Sequence, residues 1–227
     1  FANGPLPLVE LAASTTAIGR MSIHKVKSAL ARLGYDRVVA GDTDSVMLLI
    51  EGATVQEAID KANHFCADHL NKLFPAPMKI EFEKVFYPYL IFTKKRYAGL
   101  LWEDATKQPK RDTKGIATKR RDFAPVVSQT VGAVLDLILW KQDVRGAVEH
   151  VRGVLARLAA GELPIEDLTI RKELKKLPGQ YKTPSPHSTA AGKMMARDPA
   201  NAPKLGERVP FVILTGQGEV YERAEDP

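Results

Sequence analysis

At 227 residues, 44% of them hydrophobic and 26% charged, the chain has room for one large or two small globular domains. No apolar run approaches the roughly 20 residues that span a bilayer, so no membrane partner is expected. One cysteine, Cys66, rules out an intrachain disulfide or a cysteine zinc site and fits a reducing compartment, and the five histidines show no metal-ligand spacing. The opening Phe1-Ala2-Asn3-Gly4 has neither an initiator Met nor a signal-peptide pattern and reads as the start of a fragment.

Between positions 8 and 33, Leu8, Leu11, Thr15, Ile18, Ser22, Val26, Ala29 and Leu33 recur at the spacing of one long amphipathic helix, with Gly34 as its stop. Residues 37–40 and 45–50 read as two short strands of a hairpin, broken by Gly41-Asp42-Thr43-Asp44. Val55, Ile59, Ala62, Cys66, Leu70 and Leu73 mark a second helix, stopped by Pro75 and Pro77. Residues 79–84 and 85–102, rich in β-branched and aromatic side chains, read as strands.

The character then changes. Val127, Val131, Val134, Leu135 and Ile138 define a third helix, and Val144, Val148, Val151, Leu155 and Leu158 a fourth. The short link 141–143 makes them antiparallel neighbours, and Gly161 and Pro164 close the pair. Beyond Pro178 the chain is polar until a strand at 209–214. The class is therefore α+β: an antiparallel sheet with helices on one face, then a mostly helical part, with the boundary at 121–125.

The net charge of +6 is concentrated. Residues 94–121 hold ten Lys or Arg and three Asp or Glu, +7 in 28 positions, which leaves the other 199 residues at −1. A positive stripe suits phosphate-backbone binding, because neutralised phosphates release counterions. Taken alone, such a run is more often a solvated basic loop.

Gly41-Asp42-Thr43-Asp44-Ser45 is the most informative segment. Alternate residues of an extended chain face one way, so Asp42 and Asp44 converge, and close carboxylates favour a cation between them. A few hard oxygen donors suit Mg²⁺, which keeps positions for water or phosphate. On this pair alone, a hairpin turn with Asx hydrogen bonds is the commoner explanation. About forty residues on, Glu81 and Glu83 repeat the spacing on an expected strand. Lys94-Lys95-Arg96-Tyr97 follows at a strand end, where alternation sends Lys95 and Tyr97 to one face and Lys94 and Arg96 to the other.

These segments, in order, resemble the palm and thumb of family B DNA polymerases of the delta type. Gly-Asp-Thr-Asp-Ser is similar to the family's palm signature, and Lys94-Lys95-Arg96-Tyr97-Ala98-Gly99-Leu100 to its primer–template-gripping motif. Glu81-Phe82-Glu83-Lys84-Val85 through Leu90 lies between them, as in the delta type. Lys114-Gly115-Ile116 with Arg120-Arg121-Asp122 resembles the palm-to-thumb junction, Gly206-Glu207-Arg208-Val209-Pro210 the distal thumb, and Ser14 through Arg20 the helix before the signature.

The resemblance implies a palm over 1–122 and a thumb over 123–227, in an enzyme that joins nucleotides to a primer 3′-hydroxyl with two Mg²⁺ ions. Asp44 would be the direct metal ligand, Asp42 a neighbour shaping the site, and Glu81 and Glu83 an accessory cation site. An Asp upstream of this stretch would share the ions, so the fragment is expected to be inactive alone. Lys94, Lys95, Arg96, Tyr97, Lys114, Arg120 and Arg121 would hold primer–template DNA beside a deoxynucleoside triphosphate. A sliding clamp and accessory polymerase subunits are the implied partners, in the nucleus or at a viral replication site. Ala40 stands where the family usually has Tyr, the one feature that favours a catalytically silent DNA-binding scaffold. A metal-dependent nuclease would explain the acids but not the Lys94–Tyr97 grip.

Overall fold

The long amphipathic helix forms where its spacing places it. In the computed structural model, which describes residues 4–118 and 122–227, α1 runs Val9–Arg32. Gly34, at φ +86°, ends it: the Gly34 amide donates to Ala31 at 3.0 Å and the Tyr35 amide to Leu30 at 2.9 Å, a Schellman closure that needs a left-handed residue. Val26 and Leu30 are buried with Phe65 and Leu70, and Val46, Leu48, Ile50 and Ile80 pack around them. The apolar face is not buried throughout, however. Leu11 and Ile18 remain 43% and 57% exposed, because the helix extends past the hairpin and second helix that cover its C-terminal half.

The chain divides into two compact units, residues 1–114 and 115–227. In the first, β1 (Val38–Ala40) pairs antiparallel with β2 (Met47–Leu48), Val38 opposite Leu48 and Ala40 opposite Met47 across a bulge. The strands are shorter than their apolar runs, so residues 41–46 form the tip of the hairpin. α2 (Val55–His64) opens on a capping box between Thr54 and Glu57. Its path continues as a π-helical turn, Phe65–Leu70, and a 3₁₀ turn, Asn71–Leu73, before Pro75.

β3 (Val85–Thr93), β4 (Arg96–Trp102) and β5 (Lys110–Lys114) form an antiparallel sheet in that order. Two strand expectations need correction. Residues 79–84 join no sheet; the Ile80 amide donates to Asn71 Oδ1 at 2.6 Å instead of to a neighbouring strand. Lys94 and Lys95 are the turn between β3 and β4, with Thr93 opposite Arg96, so alternation cannot assign them to faces. β5, with no apolar residue of its own, owes its form to pairing with β4.

In the second unit, α3 (Pro125–Lys141) and α4 (Val144–Ala159) form the expected helical pair. Gln142, at φ +53°, turns the chain, and Asp143 accepts from the Gly146 amide at 2.8 Å. A short α5 (Ile165–Leu168) leads to β6 (Ile170–Glu173), α6 (Pro186–Arg197), β7 (Arg208–Ile213) and β8 (Ala224–Glu225), with β7 central in an antiparallel sheet. Leu174, Ala190, Ala191, Val209, Phe211 and Ala224 make its core. Lys193 ties α6 to β8 by donating to the Glu222 and Ala224 carbonyls at 2.9 and 3.1 Å and to Glu225. Among the described residues no helix is long and apolar enough to cross a membrane.

Candidate functional site

The tip between β1 and β2 is tied together by one carbonyl. The Asp42 oxygen accepts from the Asp44 amide at 2.6 Å, the Ser45 amide at 3.0 Å and the Ser45 hydroxyl at 3.1 Å. Thr43, between the two acids, sits at φ +55°, a region β-branched residues seldom occupy. Gly41 is required by proximity: a Cβ there would lie 2.8 Å from the Ser45 carbonyl oxygen. Asp42 and Asp44 therefore stand on a tight turn, not on an extended strand as the alternation argument had it.

The β3–β4 turn belongs to the same site. Lys95 sits at φ +63°, a conformation that glycine or asparagine ordinarily fills. Tyr97 lies opposite Ile91 on one side and Lys114 on the other. Its ring joins Phe86 and Tyr89 in an aromatic cluster with centroids 5.2 to 5.7 Å apart. Gly99 allows that packing, since a Cβ would come within 2.8 Å of the Phe86 ring and 3.0 Å of the Pro88 carbonyl oxygen.

Asp42, Asp44, Glu81, Glu83, Lys94, Lys95, Tyr97 and Lys114 all line one cleft of about 1180 Å³. Arg96 is exposed and does not line it, and Arg120 and Arg121 fall outside the described residues. Lys95 Nζ lies 3.2 Å from Asp42 Oδ1. The Lys95 ammonium, with help from Thr43 and Lys114, holds the Asp42 carboxyl below the usual carboxylate range. Glu81 pairs with Lys79, and Glu83 with Lys84 at 3.2 Å. Asp44 differs: among the described residues its exposed carboxylate has no ion-pair or hydrogen-bond partner.

The donor chemistry fits a hard divalent cation in part. Asp44 offers free carboxylate oxygens, but no group of three or more acids, histidines or cysteines among the described residues could enclose an ion. Any ion held by Asp44 would complete its shell with water, phosphate or ligands from elsewhere. Sequence reasoning passed over two members of the cleft. Lys84, mostly covered, lies between Glu83 and Asp112 with its ammonium 5.5 Å from the Phe86 ring centroid. Tyr89, whose phenol burial pushes up, reaches Met47 Sδ at 3.5 Å. The aromatic run 86–89 was the available signal for Tyr89, whereas Lys84 reads as an ordinary charge.

The entire chain, residues 1–227, matches the model of DNA polymerase family B. The chain belongs to that family. This family B chain is 39% identical over 99% of its length to the DNA polymerase delta catalytic subunit of Glycine max, and 40% identical to those of Schizosaccharomyces pombe and Bos taurus. Each match covers 21% of the relative, so the chain spans about a fifth of the length of these proteins. It also superposes on the family B DNA polymerase of the archaeon Pyrobaculum calidifontis with a TM-score of 0.63 at 31% identity, covering 96% of this chain and 26% of that one. The delta-type resemblance read from the motifs and the α+β class both hold.

Proposed function

We propose that this chain is part of the catalytic subunit of a replicative DNA-directed DNA polymerase, which transfers nucleotides from deoxynucleoside triphosphates to a primer 3′-hydroxyl. Residues 1–122 are its palm and 123–227 its thumb. The observation that carries the reading is the carboxylate of Asp44, unpaired among the described residues, in a cleft whose other acids already face lysines, with Lys94, Lys95 and Lys114 on the same walls.

Asp44 is the proposed ligand for Mg²⁺, shared with an aspartate elsewhere in the parent protein. Ions held there would supply acidification of the attacking hydroxyl and neutralisation of charge on the triphosphate. Asp42 acts through Lys95: by pairing with it, it fixes the ammonium at the cleft and leaves Asp44 as the available oxygen donor. Glu81 and Glu83 would have to release Lys79 and Lys84 to hold an accessory cation. Lys94, Lys95, Arg96, Lys114, Arg120 and Arg121 contact the phosphate backbone of the primer–template, which positions a duplex without reading its sequence. Tyr97 supports them through the aromatic cluster. A sliding clamp, accessory subunits and a nuclear or viral replication site complete the proposal.

The deciding experiment is primer extension by the full-length enzyme with Asp44→Ala. Extension should be lost while duplex binding persists. Near-normal extension would overturn the assignment.

A further inference from the structure

A second cleft, of about 470 Å³, lies against the same tip on the α1 side. One wall is residues 38–43 with Ser45 and Val46; the other is α1, which contributes Arg20, Ile23, His24 and Lys27. Arg20, His24 and Lys27 fall at i, i+4 and i+7, one face of the helix. None has an acidic partner among the described residues, and the only carboxylate on the cleft wall, Asp42, is already matched by Lys95. α1 as a whole carries Arg20, Lys25, Lys27 and Arg32 against the single acid Glu10. Like charges one turn apart cost a helix a few tenths of a kcal/mol, and alternating acids would remove that cost.

We infer that this cleft is a phosphate-binding site separate from the Lys94–Lys114 grip. It receives phosphate groups of the polymerase's own substrates, either the backbone of a DNA strand or the triphosphate of a nucleotide. The inference rests on the proposed function for the kind of phosphate compound, and on the cationic helix face for the site. Seven residues of helix rise about 10 Å, so Arg20 and Lys27 are far enough apart to meet separate phosphates of one strand. The tip 41–45 then stands between two clefts, with metal-ligand chemistry on one side and phosphate contacts on the other.

The test uses the full-length enzyme and the double variant Arg20→Gln/Lys27→Gln, with a labelled primer–template titrated across salt and, separately, the KM for a single nucleotide incorporation. Loss of two strand phosphate contacts should reduce the slope of log affinity against log salt by about 1.4 to 1.8. A reduced slope with unchanged nucleotide KM identifies the strand; a raised KM with unchanged slope identifies the triphosphate. If neither moves, the site is overturned. Arg20→Lys/Lys27→Arg should behave as wild type; if it fails as the neutral variant does, the effect is on packing and the inference falls. Failure of the wild-type enzyme to extend a primer would instead sink the polymerase reading.

Discussion

Lys95 bridges to Asp42 across the cleft, Nζ to Oδ1 at 3.2 Å, and both ends of the bridge involve left-handed backbone: Lys95 itself at φ +63° and Thr43, next to Asp42, at φ +55°. Each such residue costs on the order of 1–2 kcal/mol and persists only where its surroundings determine it. The bridge does not offset that cost, because its side chains are 60% and 35% exposed and water screens the pair. Its consequence is positional. Lys95 is aimed at the site and Asp42 is occupied, which leaves Asp44 as the open carboxylate.

Replacing Asp42 should therefore affect activity more than folding. In the full-length enzyme, Asp42→Asn should slow primer extension by roughly 10- to 100-fold, the usual effect of losing a residue that orients a ligand's neighbourhood. Melting should hardly shift, because water screens an exposed ion pair. A loss of extension as deep as that of Asp44→Ala would give the two acids equal roles and contradict this hierarchy.

The strain at Lys95 predicts a trade between stability and binding. Lys95→Gly removes the left-handed penalty and should raise stability by up to about 1 kcal/mol, although glycine's greater freedom in the unfolded chain offsets part of the gain. The same change removes a cation from the cleft, so affinity for primer–template should fall and its salt dependence should flatten by about one phosphate contact. Calorimetry and a salt titration on the same variant read both. Unchanged DNA binding would make Lys95 an ordinary surface cation.

The glycines of the two motifs should tolerate no methyl group. Gly41→Ala would drive a Cβ to 2.8 Å from the Ser45 carbonyl oxygen, and Gly99→Ala would strike the Phe86 ring and the Pro88 backbone. Each should cost on the order of 1–3 kcal/mol, as overpacking typically does. Gly41→Ala should also disturb extension, since it displaces the turn bearing Asp44. Chemical denaturation of both variants, with Gly19→Ala as an uncrowded control, checks the expectation.

The sequence was legible where periodicity or chain-terminating chemistry was strong. The helical spacing and Gly34 located α1 nearly to the residue, and the apolar repeats with the 141–143 link located α3 and α4. Reading failed where tertiary contacts decide. β5 is Lys-Arg-Asp-Thr-Lys, whose strand form comes from β4, and α6 buries His187, Ser188, Ala190 and Ala191, which leave no stripe of large apolar side chains. At the site, residue types were readable but not geometry. Alternation presumed extended backbone at Asp42–Asp44 and at Lys94–Lys95, where left-handed residues make turns. The cations of α1 went unnoticed because net charge was counted along the chain, while Arg20 and Lys27 come together, with His24 between them, only on a helix face.

His187 gives the second unit a pH dependence whose sign can be worked out. The residue is only 5% exposed, Nδ1 lies 3.1 Å from Ser185 Oγ, and Tyr181 packs against the ring at 5.4 Å edge-on. Burial, with a smaller contribution from Lys172, pushes its pKa below the ordinary imidazole value, so the folded state prefers the neutral ring. The unfolded chain titrates near pH 6.5 and binds the proton more readily. The stability from the neutral imidazole is thus complete above that value and is lost as pH falls through the lower folded value. Melting temperature should drop between pH 7.5 and 5, and His187→Gln, which cannot titrate, should show a smaller drop over the same interval. Comparing variant with wild type cancels the contributions of carboxylates common to both. Identical pH profiles would mean that the ring is protonated as easily in the fold as out of it.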